Sequence, residues 1–167
     1  MASRVRPGSP EYQKITFAVI AGDPVALPTP VIGEIFYGLF REDKRRPEFL
    51  HHARWLQSLL EDRIVESLPV TTDVAILAAE ILAALPVPGA RRPGDSRSKA
   101  EDRVSWHADI LIAATAFVHG YDLMTRNVKD FERIPAAMPT DAPGDALQVH
   151  PPTSRDLRWG QHSWRRP

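Results

Sequence analysis

Two acidic residues and one amide in this 167-residue chain stand where side chains could hold a divalent cation. Glu34 falls in the second turn of a predicted helix that follows a strand, Asp109 near the start of a later predicted helix, and Asn127 just after the last predicted strand. In a parallel α/β sheet, ligands bind where strands end and the next helices begin. Carboxylates there would be stabilised by helix dipoles, and together with an amide oxygen they would suit Mg²⁺ or Mn²⁺. This pattern predicts phosphodiester hydrolysis.

The elements that must position these side chains alternate between helix and strand. In the first half of the chain, we predict a helix at residues 11–21, a strand at 25–28, a helix from Thr29 and a helix around 55–60. In the second half, we predict a strand at 64–70, a helix capped by Thr72 or Asp73, a helix at 109–119 and a strand at 121–126. Residues 86–103 read as a loop, and Gly120 is expected to end the helix that carries Asp109. The alternation predicts an α/β fold with a parallel sheet flanked by helices on both faces.

Proline usage indicates the domain boundaries. Six of the 16 prolines fall between Pro135 and Pro167, and none lies between Arg97 and Ile134. Residues beyond 138 also lack an apolar period of either kind. We therefore predict a disordered N-terminus at residues 1–10, one folded domain at 11–138, and a Pro-rich, disordered tail at 139–167.

The composition is typical of one globular domain in the cytoplasm. Hydrophobic residues make up 43% of the chain and charged residues 25%. The 21 basic residues balance the 21 acidic ones, so the overall charge indicates neither a nucleic-acid coat protein nor a membrane-surface binder. No cysteine is present, which excludes disulfides and thiolate chemistry and agrees with a reducing compartment. No apolar run approaches the roughly 18 residues that a membrane span needs.

Two stretches of the sequence carry a family resemblance. LPTPVIGEIFYGLFR around Glu34 and WHADILIAATAFVHGYDLMTRNVKDFERIP from Trp106 resemble PIN-domain ribonucleases of the VapC toxin type. The second stretch is specific, because an acidic residue, the run ILIAATA, a glycine loop, a strand and TRNxxDF follow in that order. The resemblance extends more weakly over residues 11–135. It implies a PIN-like fold and a Mg²⁺-dependent endoribonuclease acting on RNA, often a homodimer, inhibited by a VapB-like antitoxin.

The resemblance also implies roles for individual residues. Glu34 matches the second acidic residue of the family and Asp109 the third, and both would be ligands of the catalytic metal, directly or through water. Asn127 matches the fourth position, where many members have aspartate. Asp130, three residues further on, would supply or support that charge. The implied catalytic set is therefore Glu34, Asp109, Asn127 and Asp130.

The chain departs from the family pattern at its beginning. Members open with a central strand that ends in an aspartate, and their usual spacing would place this aspartate upstream of Met1. We therefore expect that the first central strand is absent, so that residues 1–167 alone would be prone to aggregation. Two hypotheses follow: an active ribonuclease whose true gene product includes this strand, or a truncated, inactive PIN remnant that binds an antitoxin or another protein. A flavodoxin-like domain would need an early phosphate-binding glycine loop, which the sequence lacks.

Overall fold

The structure, a computed structural model, describes residues 10–22, 25–43, 48–87, 98–138 and 147–150. These residues fall into two compact units, one whose described part ends at Pro69 and one that covers Val70–Pro151. Most of the predicted N-terminal segment and of the predicted tail lies outside the described residues. Each unit combines helices with a pair of parallel strands, and the predicted α/β class with parallel strand pairing is confirmed.

The described residues of the first unit form three helices and two strands. Its elements are α1 (Pro10–Ala21), β1 (Val25–Pro28), α2 (Thr29–Asp43), α3 (Glu48–Glu61) and β2 (Val65–Leu68). Val25 pairs with Val65 and Pro28 with Leu68, so β1 and β2 run parallel through their whole length. Parallel strands need a crossover between them, and α2 and α3 form that crossover here.

Apolar residues at helical spacing hold α2 and α3 together. Ile35 and Leu39 of α2 are buried in one cluster with Phe49, Ala53 and Leu56 of α3. A neighbouring cluster joins residues of α1, α3 and β2, namely Ile15, Leu59 and Val65. Leu27 of β1 packs against both clusters, so the helices and the strand pair share one apolar interior. This packing determines the orientation of α2, which carries Glu34.

In its described residues, the second unit has two long helices and a second pair of parallel strands. Its elements are α4 (Thr72–Ala84), α5 (Lys99–Val118), β3 (Leu123–Met124), α6 (Val128–Phe131), a 3₁₀ turn (Pro135–Ala137) and β4 (Val149–His150). The N-cap of α4 is Thr71 and not the predicted Thr72 or Asp73. The Thr71 hydroxyl accepts a hydrogen bond from the backbone N–H of Val74 at 3.3 Å. Within the range predicted as tail, β4 pairs in parallel with β3.

Helix α5 begins much earlier than the sequence prediction places it. The Ser98 hydroxyl accepts from the backbone N–H of Glu101, and the Glu101 carboxylate accepts from the backbone N–H of Ser98. This capping box starts the helix at Lys99, inside the range predicted as a loop. Asp109 therefore lies in the middle of α5, and the prediction that it stands near a helix N-terminus is wrong. The helix dipole acts within the first turn, so it does not account for a carboxylate at this position.

The other end of α5 agrees with the prediction. Gly120 has φ +73°, in the left-handed region that glycine enters without steric cost. The backbone N–H of Tyr121 then donates to the carbonyl of Ala116 at 2.9 Å, which ends the helix and directs the chain into β3. None of the helices within the described ranges combines the length and apolar character required to cross a membrane.

The turn between α3 and β2 allows a test of local backbone strain. Arg63 is exposed and has φ 57°, where a side chain costs about 1–2 kcal/mol relative to glycine. We expect Arg63→Gly to be more stable than Arg63→Ala by about 0.5–1 kcal/mol, after allowing for the extra entropy of unfolded glycine. Urea denaturation of the two variants measures this difference. Both variants lose the same charged side chain, so equal stabilities would contradict the inference that the positive φ at residue 63 costs free energy.

Candidate metal centre

The contacts of α5 turn the side of the helix that carries Asp109 toward the interior of the second unit. Trp106 is buried one turn before Asp109, and its indole Nε1–H donates to the carbonyl of Leu85 at the end of α4 over 3.4 Å. The guanidinium of Arg133 lies 5.7 Å from the centre of the Trp106 ring. Ile110 is fully buried next to Asp109. These contacts determine which side of α5 faces the interior.

Asp109 is itself buried, which is unusual for a carboxylate. Only 7% of its surface is exposed, and the residues that follow it in α5 are mostly buried and apolar. Burial of a carboxylate is costly unless hydrogen-bond donors compensate for the lost water. One donor is the side-chain amide of Asn127, whose Nδ2 lies 3.3 Å from Asp109 Oδ2. Two residues that are 18 positions apart in the chain therefore meet through their side chains.

Asn127 is oriented for this contact rather than for capping a helix. It occupies the N-cap position of α6, where asparagine normally accepts a backbone N–H with its side chain, yet its side chain makes no capping bond. Its backbone carbonyl instead accepts from the N–H groups of Asp130 at 3.1 Å and Phe131 at 3.2 Å. Its own backbone N–H donates to the hydroxyl of Thr125 at 3.1 Å. The side-chain amide is thus directed to Asp109.

The four predicted site residues are distributed over both units. Asp109 and Asn127 are in direct contact, and Asp130 stands in the first turn of α6, joined to Asn127 through the backbone. Glu34 belongs to the first unit, in the second turn of α2 as predicted. Partial burial raises the pKa of the Glu34 carboxyl above its ordinary value of 4.5. The catalytic roles of all four residues stay predictions.

The chemistry of Asp109 and Asn127 fits a hard divalent cation. Carboxylate and carboxamide oxygens are the donors that Mg²⁺ and Mn²⁺ prefer. Over the described ranges, no group of three or more His, Cys, Asp or Glu side chains is gathered closely enough to hold a metal ion. Mg²⁺ does not need such a cage, because it is commonly bound by one or two carboxylates together with water and substrate phosphate. The pair is thus suited to a cation that keeps most of its water.

Two residues that contribute to this arrangement were missed by the sequence reasoning. Thr125 bonds the backbone of Asn127, and Trp106 anchors the turn of α5 before Asp109. A hydroxyl two residues before an asparagine is a recognisable turn signal, so Thr125 could have been found from its spacing. The partner of Trp106 could not, because Leu85 is 21 residues away in the sequence.

Comparison with known proteins agrees with the fold. The PIN domain family profile matches residues 7–137, which is most of the chain. The chain therefore belongs to the PIN domain family, and the predicted family resemblance is confirmed. It is also similar to Ribonuclease VapC1 of Rickettsia felis, with 73% identity over 26 residues. That match covers 16% of this chain and 19% of the Rickettsia protein, so it spans about a fifth of the relative's length.

The raised pKa of Glu34 has a consequence for stability. Because the folded state binds this proton more tightly than the unfolded state, stability falls as pH rises from the ordinary pKa through the folded one. We expect metal-free Glu34→Gln to melt at a slightly higher temperature than the parent protein at pH 7, with the difference disappearing below pH 4.5. Thermal unfolding at both pH values measures it. Glu80→Gln, which also removes a glutamate side chain but at an exposed site inside α4, is the matched control.

Proposed function

We propose that this protein is a metal-dependent endoribonuclease of the VapC type that cleaves RNA phosphodiester bonds. Glu34 and Asp109 are the proposed ligands of Mg²⁺ or Mn²⁺, with Asn127 and Asp130 completing the catalytic set. Membership of the PIN domain family and the similarity of one segment to Ribonuclease VapC1 support a nuclease. We assign the cytoplasm as its compartment, where RNA is available.

The observation that carries this proposal is the buried Asp109 carboxylate with the Asn127 amide directed onto it. A carboxylate in a largely apolar helix face costs stability, and such groups concentrate at functional sites. Asn127 also gives up the side-chain cap of α6 to make this contact. The burial of Asp109 and the missing side-chain cap of α6 are both explained if the contact serves to hold the Asp109 carboxylate in one orientation.

The chain's own residues would contribute by orienting groups and supplying charge. The N–H of the Asn127 amide stabilises negative charge on Asp109 and restrains rotation of its carboxylate. When bound, Mg²⁺ or Mn²⁺ would polarise a phosphoryl oxygen and lower the pKa of a water molecule for in-line attack at phosphorus. Asp130, held next to Asn127 by the start of α6, would add negative charge near the cation.

Loss of the Asp109 charge provides the test of this function. We expect the parent protein to cleave single-stranded RNA in Mg²⁺ and to lose activity in a chelator. Asp109→Asn should reduce the cleavage rate at least about 100-fold. Removal of a residue that only orients a metal ligand costs up to about 100-fold, and loss of a ligand itself should cost no less. It should not lower the melting temperature, because it removes a buried charge. Labelled RNA on denaturing gels, together with thermal unfolding, measures both effects.

Two controls separate this activity from a contaminating ribonuclease. Asp62→Asn, at an exposed turn after α3, should cleave RNA like the parent protein. Attack by water cannot produce a 2′,3′-cyclic phosphate, which forms when the neighbouring ribose hydroxyl is the nucleophile. Cyclic ends on the products, or full activity in Asp109→Asn, would contradict the proposal. A folded protein that bound Mn²⁺ but cut no RNA would favour a non-catalytic binding module instead.

The proposed partners follow from the same family assignment. We propose a homodimer that binds a VapB-like antitoxin, whose C-terminal segment would occupy the nuclease site. Light scattering of the purified protein should then give a mass twice that of one chain. A monomer at micromolar concentration would contradict the homodimer.

A further inference from the structure

We propose that Thr125 is a positioning residue, which links strand β4 to Asn127 and so holds the Asn127 amide on Asp109. This inference rests on the proposed function, because it assigns how the candidate metal site is kept in shape. Thr125 lies outside the predicted catalytic set, and β4 lies outside the residues 7–137 that the PIN domain profile matches. Four successive hydrogen bonds carry it, all within the second unit.

The outer end of this link is the β3–β4 ladder. The backbone N–H of Leu123 donates to the carbonyl of Gln148 at 2.9 Å, and that of Thr125 donates to the carbonyl of His150 at 3.0 Å. The His150 imidazole also lies 3.6 Å from a carboxylate oxygen of Asp122. Residues 147–150 therefore fix the backbone position of Leu123 through Thr125. They lie beyond residues 7–137, which the PIN domain profile matches.

The inner end of the link is the Thr125 side chain. Its Oγ1 accepts the backbone N–H of Asn127 at 3.1 Å, closing a tight turn immediately after the ladder ends. With its N–H held there and its carbonyl accepting the first N–H groups of α6, Asn127 has both backbone polar groups engaged. The remaining freedom is in the side chain, which donates to Asp109. Loss of the hydroxyl would release one of the two backbone restraints.

Two substitutions at Thr125 separate the hydrogen bond from the packing of the side chain. Thr125→Val keeps the shape but cannot accept from Asn127, whereas Thr125→Ser keeps the acceptor and loses a methyl group. The matched control is Thr115→Val, because the Thr115 hydroxyl is buried and donates to the carbonyl of Leu111 inside α5. All three variants are made in the full chain.

The first readout needs no metal and no activity. The side-chain amide signal of Asn127 in nitrogen-15 NMR spectra, assigned by its loss in Asn127→Ala, reports its hydrogen bond to Asp109. We expect this signal to shift and its hydrogen exchange to accelerate in Thr125→Val. The second readout is Mn²⁺ affinity by paramagnetic relaxation, which should fall about 10-fold in Thr125→Val. Thr125→Ser and Thr115→Val should match the parent protein in both readouts.

Distinct outcomes decide the proposal. An unchanged Asn127 signal in Thr125→Val, even with a lower melting temperature, would overturn the positioning role and leave a merely structural threonine. Equal impairment in Thr125→Ser and Thr125→Val would overturn it as well, because the acceptor is present in serine. If the parent protein binds no Mn²⁺, the proposed nuclease function fails, and the Asn127 signal still decides whether Thr125 positions the amide.

Discussion

Burial of the Asp109 carboxylate is the constraint on which the rest of the second unit depends. A carboxylate with 7% exposure on a tightly packed helix needs hydrogen-bond donors from elsewhere in the chain. Asn127 supplies one of them, and it can do so only if the segment after β3 returns to α5 at the level of Asp109. The glycine that ends α5, the short strand β3 and the turn at Thr125 are the features that bring the chain back.

The same constraint explains why two polar contacts accompany the apolar packing around α5. Trp106 uses its indole N–H to fasten α5 to the end of α4, and Thr125 uses its hydroxyl to fasten the turn before α6. Neither bond contributes much net stability, since a typical intramolecular hydrogen bond is worth about 1 kcal/mol. Their effect is on orientation, which matters more for a site that we propose to hold a hydrated cation and a phosphate at fixed positions.

Most helices and strands of the first unit follow closely from local pattern, whereas the starts of α3 and α5 do not. Apolar spacing predicts α1, β1 and most of α2, because burial of one helix face is a short-range property of the sequence. The start of α5 was missed because glycine, proline and charge upstream outweighed the capping box at Ser98 and Glu101. Strand β4 was missed because two residues among prolines carry no period, and they become a strand only when β3 is beside them.

The motifs around Glu34 and Asp109 were enough to indicate the family and the fold class, since both depend on residue types at fixed spacing. The metal-binding roles of these residues stay predictions. Which atoms meet was decided by tertiary structure. The Asn127 amide reaches Asp109 across 18 residues, and its direction depends on a ladder with residues more than 20 positions further along. Side-chain direction is set by such long-range hydrogen bonds, because local sequence leaves an asparagine at a helix start free to cap that helix instead.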